Sequence, residues 1–458
     1  MNSQLERKLT LFPLVNIVVA NMIGAGIFTT SGLLMENLRN PVMMLVLWLV
    51  GGVIALCGAL SYGELGAAFP HAGGEYAFLS RLYHPLLGFL SGWVSLIVGF
   101  SAPIAASAIG FSRYLFRAIP QLAAVEGTVP LLQNMWLQKV LSVSIIVLFT
   151  TVHVRGIKLS AQVQNALTVL KILLVVGLIG VGFAFGSGEW TNLTQPTTYS
   201  FDLGKMKSVG LSLMWIMFAY SGWNAATYVG SEVKKPGKNL PLSLLLGTGL
   251  VTVFYVLLNL FYVYAVNPDD MYGVISIGGL AVARAFGQSW ESLLSILIAI
   301  ALFSSLSAFI ILGPRVYYAM AKDGVFFKGL ARVHPKHRVP TRAIVLQAGI
   351  ASILVLTGTF DQILTFMGFA LGLFPLFAIV GIFKLRWSNR SVLKMPGFPI
   401  APALYLIFGT MILVLAFLER PVESSFAILT VIVGVPVYFV FRKKKLNQRT
   451  TKEKKSNL

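Results

Sequence analysis

Apolar stretches long enough to cross a bilayer recur along the whole chain and alternate with short polar connections. A hydrocarbon core of ~30 Å needs ~20 residues of helix to cross it. The pattern predicts twelve spans, at residues 11–34, 41–68, 86–112, 137–153, 160–186, 207–230, 241–266, 289–320, 342–358, 362–383, 399–418 and 423–441. The chain is therefore predicted to be an all-α integral membrane protein.

Two of the predicted spans contain an interruption of the helix. In span 1 it is the segment 24–26, GAG, and in span 6 it is the segment 218–223, FAYSGW. On helical rise, Gly24 lies ~20 Å into the membrane from one side and Ser221 ~21 Å from the other. Two breaks at matching depth, five spans apart, favour an inverted repeat of five plus five helices over glycines that only allow close helix packing.

An unwound helix in hydrocarbon leaves backbone groups without partners, which is tolerated only where a ligand, an ion or water binds them. The half-helix after the break in span 1 points N–H groups and a positive dipole end at the gap, which suits a carboxylate. The carbonyls freed at Ile23, Phe218, Ala219 and Ser221 suit an ammonium. A zwitterionic ligand satisfies both requirements.

The repeat predicts a division of the chain into five parts. These are a cytosolic N-terminal tail at 1–10, a first five-helix repeat at 11–186, an inverted second repeat at 207–383, two additional helices at 399–441 and a basic cytosolic C-terminal tail at 442–458.

Composition and charge agree with a membrane protein. Apolar residues make up 56% of the chain, charged residues make up only 11%, and the net charge is +20. Threading twelve spans from a cytosolic N-terminus puts most Lys and Arg on the cytosolic side, so the positive-inside rule explains the charge. We therefore expect a multi-pass protein of the plasma (inner) membrane with both termini in the cytoplasm, its partners being lipid and a small-molecule substrate rather than nucleic acid.

Other chemistry is sparse in the sequence. Cys57 is the only cysteine, so neither an internal disulfide nor a disulfide-linked subunit is expected. His153, His334 and His337 have no metal-ligand spacing and are expected at the surface, and no cofactor or metal is predicted. No HExxH, GxSxG or paired intramembrane carboxylates indicate a catalytic site, so an enzyme is not expected.

Motifs in order along the chain carry a resemblance to a known family. They are IGAGIF in span 1, SYGELG and GGEY around the end of span 2, FAYSGWN in span 6 followed by SEVKKPGKNLP, and PRVYYAMAKDG closing span 8. The chain resembles the amino acid/polyamine/organocation (APC) superfamily, and within it the L-type amino acid transporters and their bacterial relatives. The resemblance implies a leucine-transporter-type fold and secondary active transport by alternating access around a substrate at the two breaks.

The resemblance also implies roles for particular residues. The α-carboxylate would contact the backbone of Gly24, Ala25 and Gly26, and the α-amine would meet carbonyls of Ile23, Phe218 and Ala219. Phe218 matches an aromatic gate on the outer side, and Asn224 would support the break. Many members carry Ser or Thr where this chain has Ala25, so carboxylate recognition would rest on backbone N–H groups.

Coupling and gating residues are predicted on other spans. Lys171 lies ~17 Å into span 5, where an ionisable group is a functional candidate by default. In sodium-free relatives a lysine at this position occupies the place of a sodium ion, and Ser304 and Ser305 are its expected neighbours. Either proton coupling or amino acid exchange fits this lysine, and a fixed internal cation that only ties the helices together is the alternative. Charged residues on the cytosolic side are predicted to form gate ion pairs, Arg315 with Asp323 and Glu232 with Lys234, Lys235 and Lys238. The alternative is loop charge that only follows the positive-inside rule.

Selectivity follows from an absence. All sixteen Asp and Glu fall in tails, loops or near span ends, so no carboxylate is expected at mid-depth for a cationic side chain. Neutral L-amino acids are therefore the predicted substrates. A permease for cationic amino acids or polyamines, and a transporter-like amino acid sensor or receptor, remain the alternatives.

Overall fold

The protein is a bundle of α-helices in the computed structural model. The structure describes residues 7, 9–71, 73–119, 130–155, 157–194, 203–335, 337, 339–389 and 391–456, without the side chains of 130–134, 157–161, 203, 288, 289, 291 and 443–456. Within these residues the helices are α1 (Leu11–Met22), α2 (Ala25–Leu38), α3 (Pro41–Ala68), α4 (Glu75–Leu82), α5 (Pro85–Val94), α6 (Ser101–Ala118), α7 (Pro130–Val154), α8 (Ile157–Phe185), α9 (Leu203–Ala219), α10 (Pro236–Ala265), α11 (Ile277–Phe286), α12 (Gln288–Lys322), α13 (Thr341–Thr357), α14 (Phe360–Trp387), α15 (Ile400–Glu419) and α16 (Pro421–Ser456).

Among the described residues, ten helices are long and apolar enough to cross a membrane. They include the pairs α1–α2 and α5–α6, each of which is interrupted but continuous as a span. Predicted spans 6 and 9 correspond to α9 and α13, which have 17 residues each and are short for a crossing that needs ~20. The membrane character of the bundle is clear, and the count of twelve spans stays a prediction.

The surface of α3 shows why the bundle needs a lipid environment. Val46, Leu49 and Val53 lie one helical turn apart and each is about half exposed on the outside of the bundle. On the opposite face, a Cβ at Gly51 or Gly52 would lie 2.4 or 2.3 Å from side chains of α9 and α10. The helix therefore turns small residues inward for close packing and large apolar residues outward, as membrane helices do.

Helix contacts repeat between the two predicted halves. The second and third spans, α3 and α6, pack against their counterparts α10 and α12. The contact of α8 with α12 has its equivalent in α14 with α6, and that of α8 with α10 has its equivalent in α14 with α3. This exchange of neighbours is what an inverted repeat produces, and it supports the predicted architecture.

Both predicted helix breaks are present. α1 ends at Met22, the backbone at Gly24 is extended with φ −134° and ψ −156°, and α2 begins at the next residue. α9 ends at Ala219 and is followed by two short 3₁₀ turns, Ala225–Tyr228 and Gly230–Glu232, rather than by a second α-helix. Span 6 was predicted at 207–230. The observed helix α9 begins four residues earlier, at Leu203, and ends eleven residues earlier, at Ala219.

One irregularity was not anticipated. A π-helical turn, Ser95–Gly99, separates α5 from α6 in the third span. Such turns are frequent at functional sites. Ser95 and Gly99 face the same central cavity as the break after α9.

Candidate binding site

The two helix breaks meet in the centre of the bundle. A Cβ built on Gly26 would lie 2.5 Å from both Cα and Cβ of Ala219, so only glycine lets the start of α2 approach the end of α9 this closely. Gly222 has a φ of +100°, and a Cβ there would lie 2.8 Å from the backbone of Asn21. The glycines predicted to weaken the helices therefore also provide the contact between them.

Some of the freed carbonyls already have donors within the protein. The Tyr255 hydroxyl of α10 bridges the carbonyls of Met22 and Ala219, lying 2.9 Å from the latter. The Phe218 carbonyl accepts a hydrogen bond from the Ser221 N–H at 2.8 Å. A carbonyl oxygen has two lone pairs, so Phe218 and Ala219 each keep one for a ligand.

Lys171 of α8 reaches the break of the first span and is fully buried. Its Nζ donates to the carbonyl of Ala20 at 3.0 Å, to the carbonyl of Ile23 and to the Ser305 hydroxyl at 2.9 Å. Ser305 in turn donates to the Ile23 carbonyl at 2.9 Å. Lys171 and Ser305 thus occupy both lone pairs of Ile23 and leave none for a substrate amine, contrary to the role expected for that carbonyl.

Ser304 lies beside the lysine site without contacting the ammonium. It accepts a hydrogen bond from Gln164 at 3.3 Å and shares one with Thr168 at 3.3 Å, both of them on α8. The two predicted serine neighbours therefore differ in position, since Ser305 contacts Lys171 and Ser304 contacts the helix that carries it.

A central cavity of about 80 Å³ lies next to the second break. Three of the predicted substrate residues, Phe218, Ser221 and Asn224, line its wall. Asn21 lines it from the first span, whereas the predicted carboxylate contacts at 24–26 are not among its lining residues. Gly26 packs against Ala219 of α9, and Gly24 lies beside Ser305 of α12. Further parts of the wall come from Phe100, which directly precedes α6, and from α12, α14 and α15, with Phe309, Leu312, Gly368, Leu371, Gly372, Pro375 and Tyr405.

Glu75, a residue that the sequence analysis did not select, also lines this cavity. It begins α4, directly after Gly73 and Gly74, which have φ angles of +105° and +50°. A Cβ on Gly74 would lie 2.7 Å from the ring of Tyr228, so the glycine pair lets the connection press against the segment after α9. The motif GGEY is therefore the signal that marks this residue, and it turns a carboxyl from a connecting loop into the cavity.

The surroundings of Glu75 are polar but uncharged. The Asn224 amide donates to its carboxyl at 2.8 Å, and the rings of Tyr62, Tyr228 and Tyr405 stand around it. Burial raises the pKa of the Glu75 carboxyl to about 7, although its contacts with Asn224 and Tyr62 act in the opposite direction. Burial therefore favours the neutral, protonated form of this carboxyl.

The Glu75 carboxyl changes the argument on selectivity. No carboxylate was expected at mid-depth for a cationic side chain, because all Asp and Glu fall in tails, loops or near span ends. The cavity wall nevertheless includes the carboxyl of Glu75, which comes from the connection between two spans. The exposed fraction of Glu75 is only 8%.

The predicted gate residues meet in a different pairing. Arg315 of α12 donates to Glu232 at 3.1 Å, whereas the sequence paired it with Asp323. Asp323 accepts a hydrogen bond from the Tyr76 hydroxyl at 2.5 Å. The backbone of Glu232 also binds the segment before α1, because its carbonyl accepts a hydrogen bond from the Leu9 N–H at 2.9 Å. The ion pair thus joins α12 to the segment after the second break.

His153 is not the surface residue that was expected. Its side chain is 2% exposed, and its Nε2 lies 2.9 Å from the Ser307 hydroxyl of α12. His334 and His337 lie together in a connection, with ring centroids 4.6 Å apart. In the described part of the chain, no cluster of three or more His, Cys, Asp or Glu is arranged to hold a metal ion.

Broken helices that meet at a central cavity, with a buried lysine bound to the first break, define a helical membrane protein with a small-molecule site at its centre. A family model for amino acid permeases matches residues 9–437. The chain therefore belongs to the amino acid permease family.

Curated relatives are similar along nearly the whole chain. The Asc-type amino acid transporter 1 of Mus musculus is 28% identical over 448 residues, which cover 95% of this chain and 81% of the relative. The large neutral amino acids transporter small subunit 2 of Rattus norvegicus is 28% identical over 444 residues, covering 95% and 81%. The cystine/glutamate transporter of Homo sapiens is 27% identical over 448 residues, covering 96% and 86%.

Proposed function

We propose that this protein is a secondary active transporter of neutral L-amino acids that works by alternating access, by proton coupling or amino acid exchange and without sodium. The observation that carries the proposal is the meeting of two helix breaks beside one cavity. In a family of amino acid permeases, this arrangement supplies backbone groups for both ends of a zwitterion.

In this proposal the substrate binds across the gap between the breaks. The first N–H groups of α2, at Ala25 and Gly26, lack intrahelical acceptors and receive the α-carboxylate together with Gly24. The free lone pairs of Phe218 and Ala219 receive the α-ammonium, with Ile23 reserved for Lys171. Because Gly26 and Ala219 are in contact, substrate entry requires α2 and α9 to separate.

The proposed placement in the cell follows from charge. We place the protein in the plasma (inner) membrane with both termini in the cytoplasm, since most Lys and Arg then lie inside. The pair of Glu232 and Arg315 then acts as a cytosolic gate, and Phe218 closes the site from outside. The proposed domain boundaries are those of the sequence analysis, with repeats at 11–186 and 207–383.

A second candidate is a permease for cationic amino acids or polyamines. The specific observation in its favour is the Glu75 carboxyl in the cavity wall. Neutral substrates remain the first choice because this carboxyl is almost fully buried and is already bound by Asn224.

Ligand-induced stabilisation of the purified protein by each common L-amino acid, and by a polyamine, separates these candidates. A ligand that binds the native state raises its apparent stability by mass action. Neutral amino acids should raise the melting temperature, and a preference for arginine or the polyamine would favour the second candidate.

Counterflow in proteoliposomes then distinguishes transport from sensing. Vesicles loaded with the unlabelled amino acid should take up the labelled one. Binding without uptake would mean that the protein is an amino acid sensor rather than a transporter.

A further inference from the structure

Glu75 is a buried carboxyl in contact with the space where we place the substrate. It shares the cavity wall with Ser221 and Asn224, the residues of the second break. Its bond to Asn224 joins the connection between the second and third spans directly to that break. A change in the charge of Glu75 therefore acts on the segment that directly follows α9, one of the two helices that must separate when the substrate enters.

The groups facing Glu75 do not neutralise it. They are Tyr62 of α3, Tyr228 and Asn224 of the segment after α9, and Tyr405 of α15. In the described part of the chain, no Lys, Arg or His forms a salt bridge with this carboxylate. Glu64 differs from Glu75 in this respect, since Arg386 donates to both of its carboxylate oxygens, at 2.8 and 2.6 Å. Glu64 has a fixed charged partner, and Glu75 has neutral hydrogen-bond partners.

Lys171 is less suited to carrying a proton in and out. Its three partners, at Ala20, Ile23 and Ser305, all accept, and they match the three N–H bonds of an ammonium group. A neutral amine has only two N–H bonds, so it could donate to only two of the three acceptors as they are arranged. The geometry therefore favours Lys171 as a fixed cation that holds the first break.

We propose that Glu75 is the proton-binding site of the transport cycle, protonated while the carboxyl is buried and deprotonated when water enters the cavity. The proposal rests on the transport function above. The proton comes from water on one side of the membrane, binds to a carboxylate oxygen of Glu75 and leaves to water on the other side, with no covalent chemistry. Because burial opposes the charge, any opening that hydrates the carboxyl promotes release, and protonation promotes closure by the same free energy.

The test is uptake of a labelled amino acid, chosen from the ligand screen, into proteoliposomes with and without an imposed pH gradient. One-to-one coupling across about one pH unit drives up to ~10-fold accumulation. Glu75→Gln mimics the protonated carboxyl, so the ratio of its uptake with the gradient to its uptake without the gradient should fall to about one. Glu36→Gln, at an exposed carboxyl, serves as the matched control and should respond like the wild-type protein.

The outcomes separate this inference from the proposed function. Absence of counterflow in the wild-type protein would overturn the transporter itself. Counterflow together with an unchanged gradient response in Glu75→Gln would overturn the role of Glu75. Wild-type uptake that ignores the gradient would also overturn it and would leave a proton-independent exchanger.

A second measurement does not depend on transport. Infrared difference spectra of the purified protein between pH about 5.5 and about 8.5 detect the C=O band of a protonated buried carboxyl as it ionises. This band should be absent in Glu75→Gln and shifted in Glu75→Asp. Identical spectra in the wild-type protein and Glu75→Gln would show that Glu75 does not titrate, even if the Gln variant were too unstable for transport assays.

Discussion

Replacing Glu75 by Gln should change how the stability of the protein depends on pH. Burial raises the pKa of this carboxyl in the folded protein from an ordinary 4.5 to about 7. Between these values the folded protein binds more protons than the unfolded chain, so the free energy of unfolding falls as pH rises. The contribution of the protonated carboxyl is complete below pH about 4.5 and is lost as the pH passes about 7.

The magnitude follows from the difference between the two pKa values. The two pKa values differ by roughly 2.5, and a difference of one in pKa corresponds to ~1.4 kcal/mol. The free energy of unfolding therefore changes by ~3 kcal/mol over the whole pH range. About 2–3 kcal/mol of this falls between pH 5 and pH 8. Gln is neutral throughout and lacks this slope, so Glu75→Gln should gain stability relative to the wild-type protein as the pH rises.

Thermal unfolding in detergent, followed by tryptophan fluorescence at a series of pH values, measures the effect. Unfolding of membrane proteins is often irreversible, so the quantity to compare is the difference in apparent melting temperature between variant and wild type. The other carboxylates are the same in the variant and the wild-type protein, so their effect on the melting temperature cancels in this difference. A difference that stays constant from pH 5 to pH 8 would refute the burial argument for Glu75.

Three further changes test other parts of the site. Lys171→Met leaves a buried carbonyl of the first break without a donor, at ~1–3 kcal/mol, and should lower the counterflow rate roughly tenfold or more; a rate near that of the wild-type protein would contradict the role of the lysine. Gly26→Ala should cost ~1–3 kcal/mol in thermal stability and impair transport, because its Cβ would lie 2.5 Å from α9. Gly177→Ala, with nothing within 4 Å of its Cβ, is the control and should show no loss of stability. Glu232→Gln removes a partly exposed ion pair, so it should change stability by less than ~1 kcal/mol but alter the ratio of inward to outward transport rates measured in oriented vesicles.

Much of the site was predictable because its signals are local. The breaks at Gly24 and Ser221 follow from glycine and from the polar residue in an otherwise apolar span. Lys171 stands out because an ionisable residue deep in a span needs a partner. Its contact with Ser305, and the lining of the cavity by Phe218 and Asn224, agree in position with the sequence analysis.

The misses came from residues in connections. Glu75 and His153 were assigned by their place between spans, yet both are buried. Arg315 was paired with the nearest acid in sequence, Asp323, whereas its partner is Glu232, 83 residues away. Sequence proximity misled here because Asp323 lies eight residues from Arg315, ~12 Å along α12 on helical rise, whereas the fold brings Glu232 to 3.1 Å.

The sequence by itself determined the membrane bundle, the two breaks and the buried lysine, because hydrophobicity and backbone propensity act over a few residues. Only the tertiary structure decided which side chains line the site and which of its backbone groups already have partners. The fold brings Glu75 within 2.8 Å of Asn224, 149 residues further on, and satisfies the Ile23 carbonyl with Lys171 and Ser305. Such partners depend on how distant helices pack, so their charge and hydrogen bonding become visible only once the bundle is assembled.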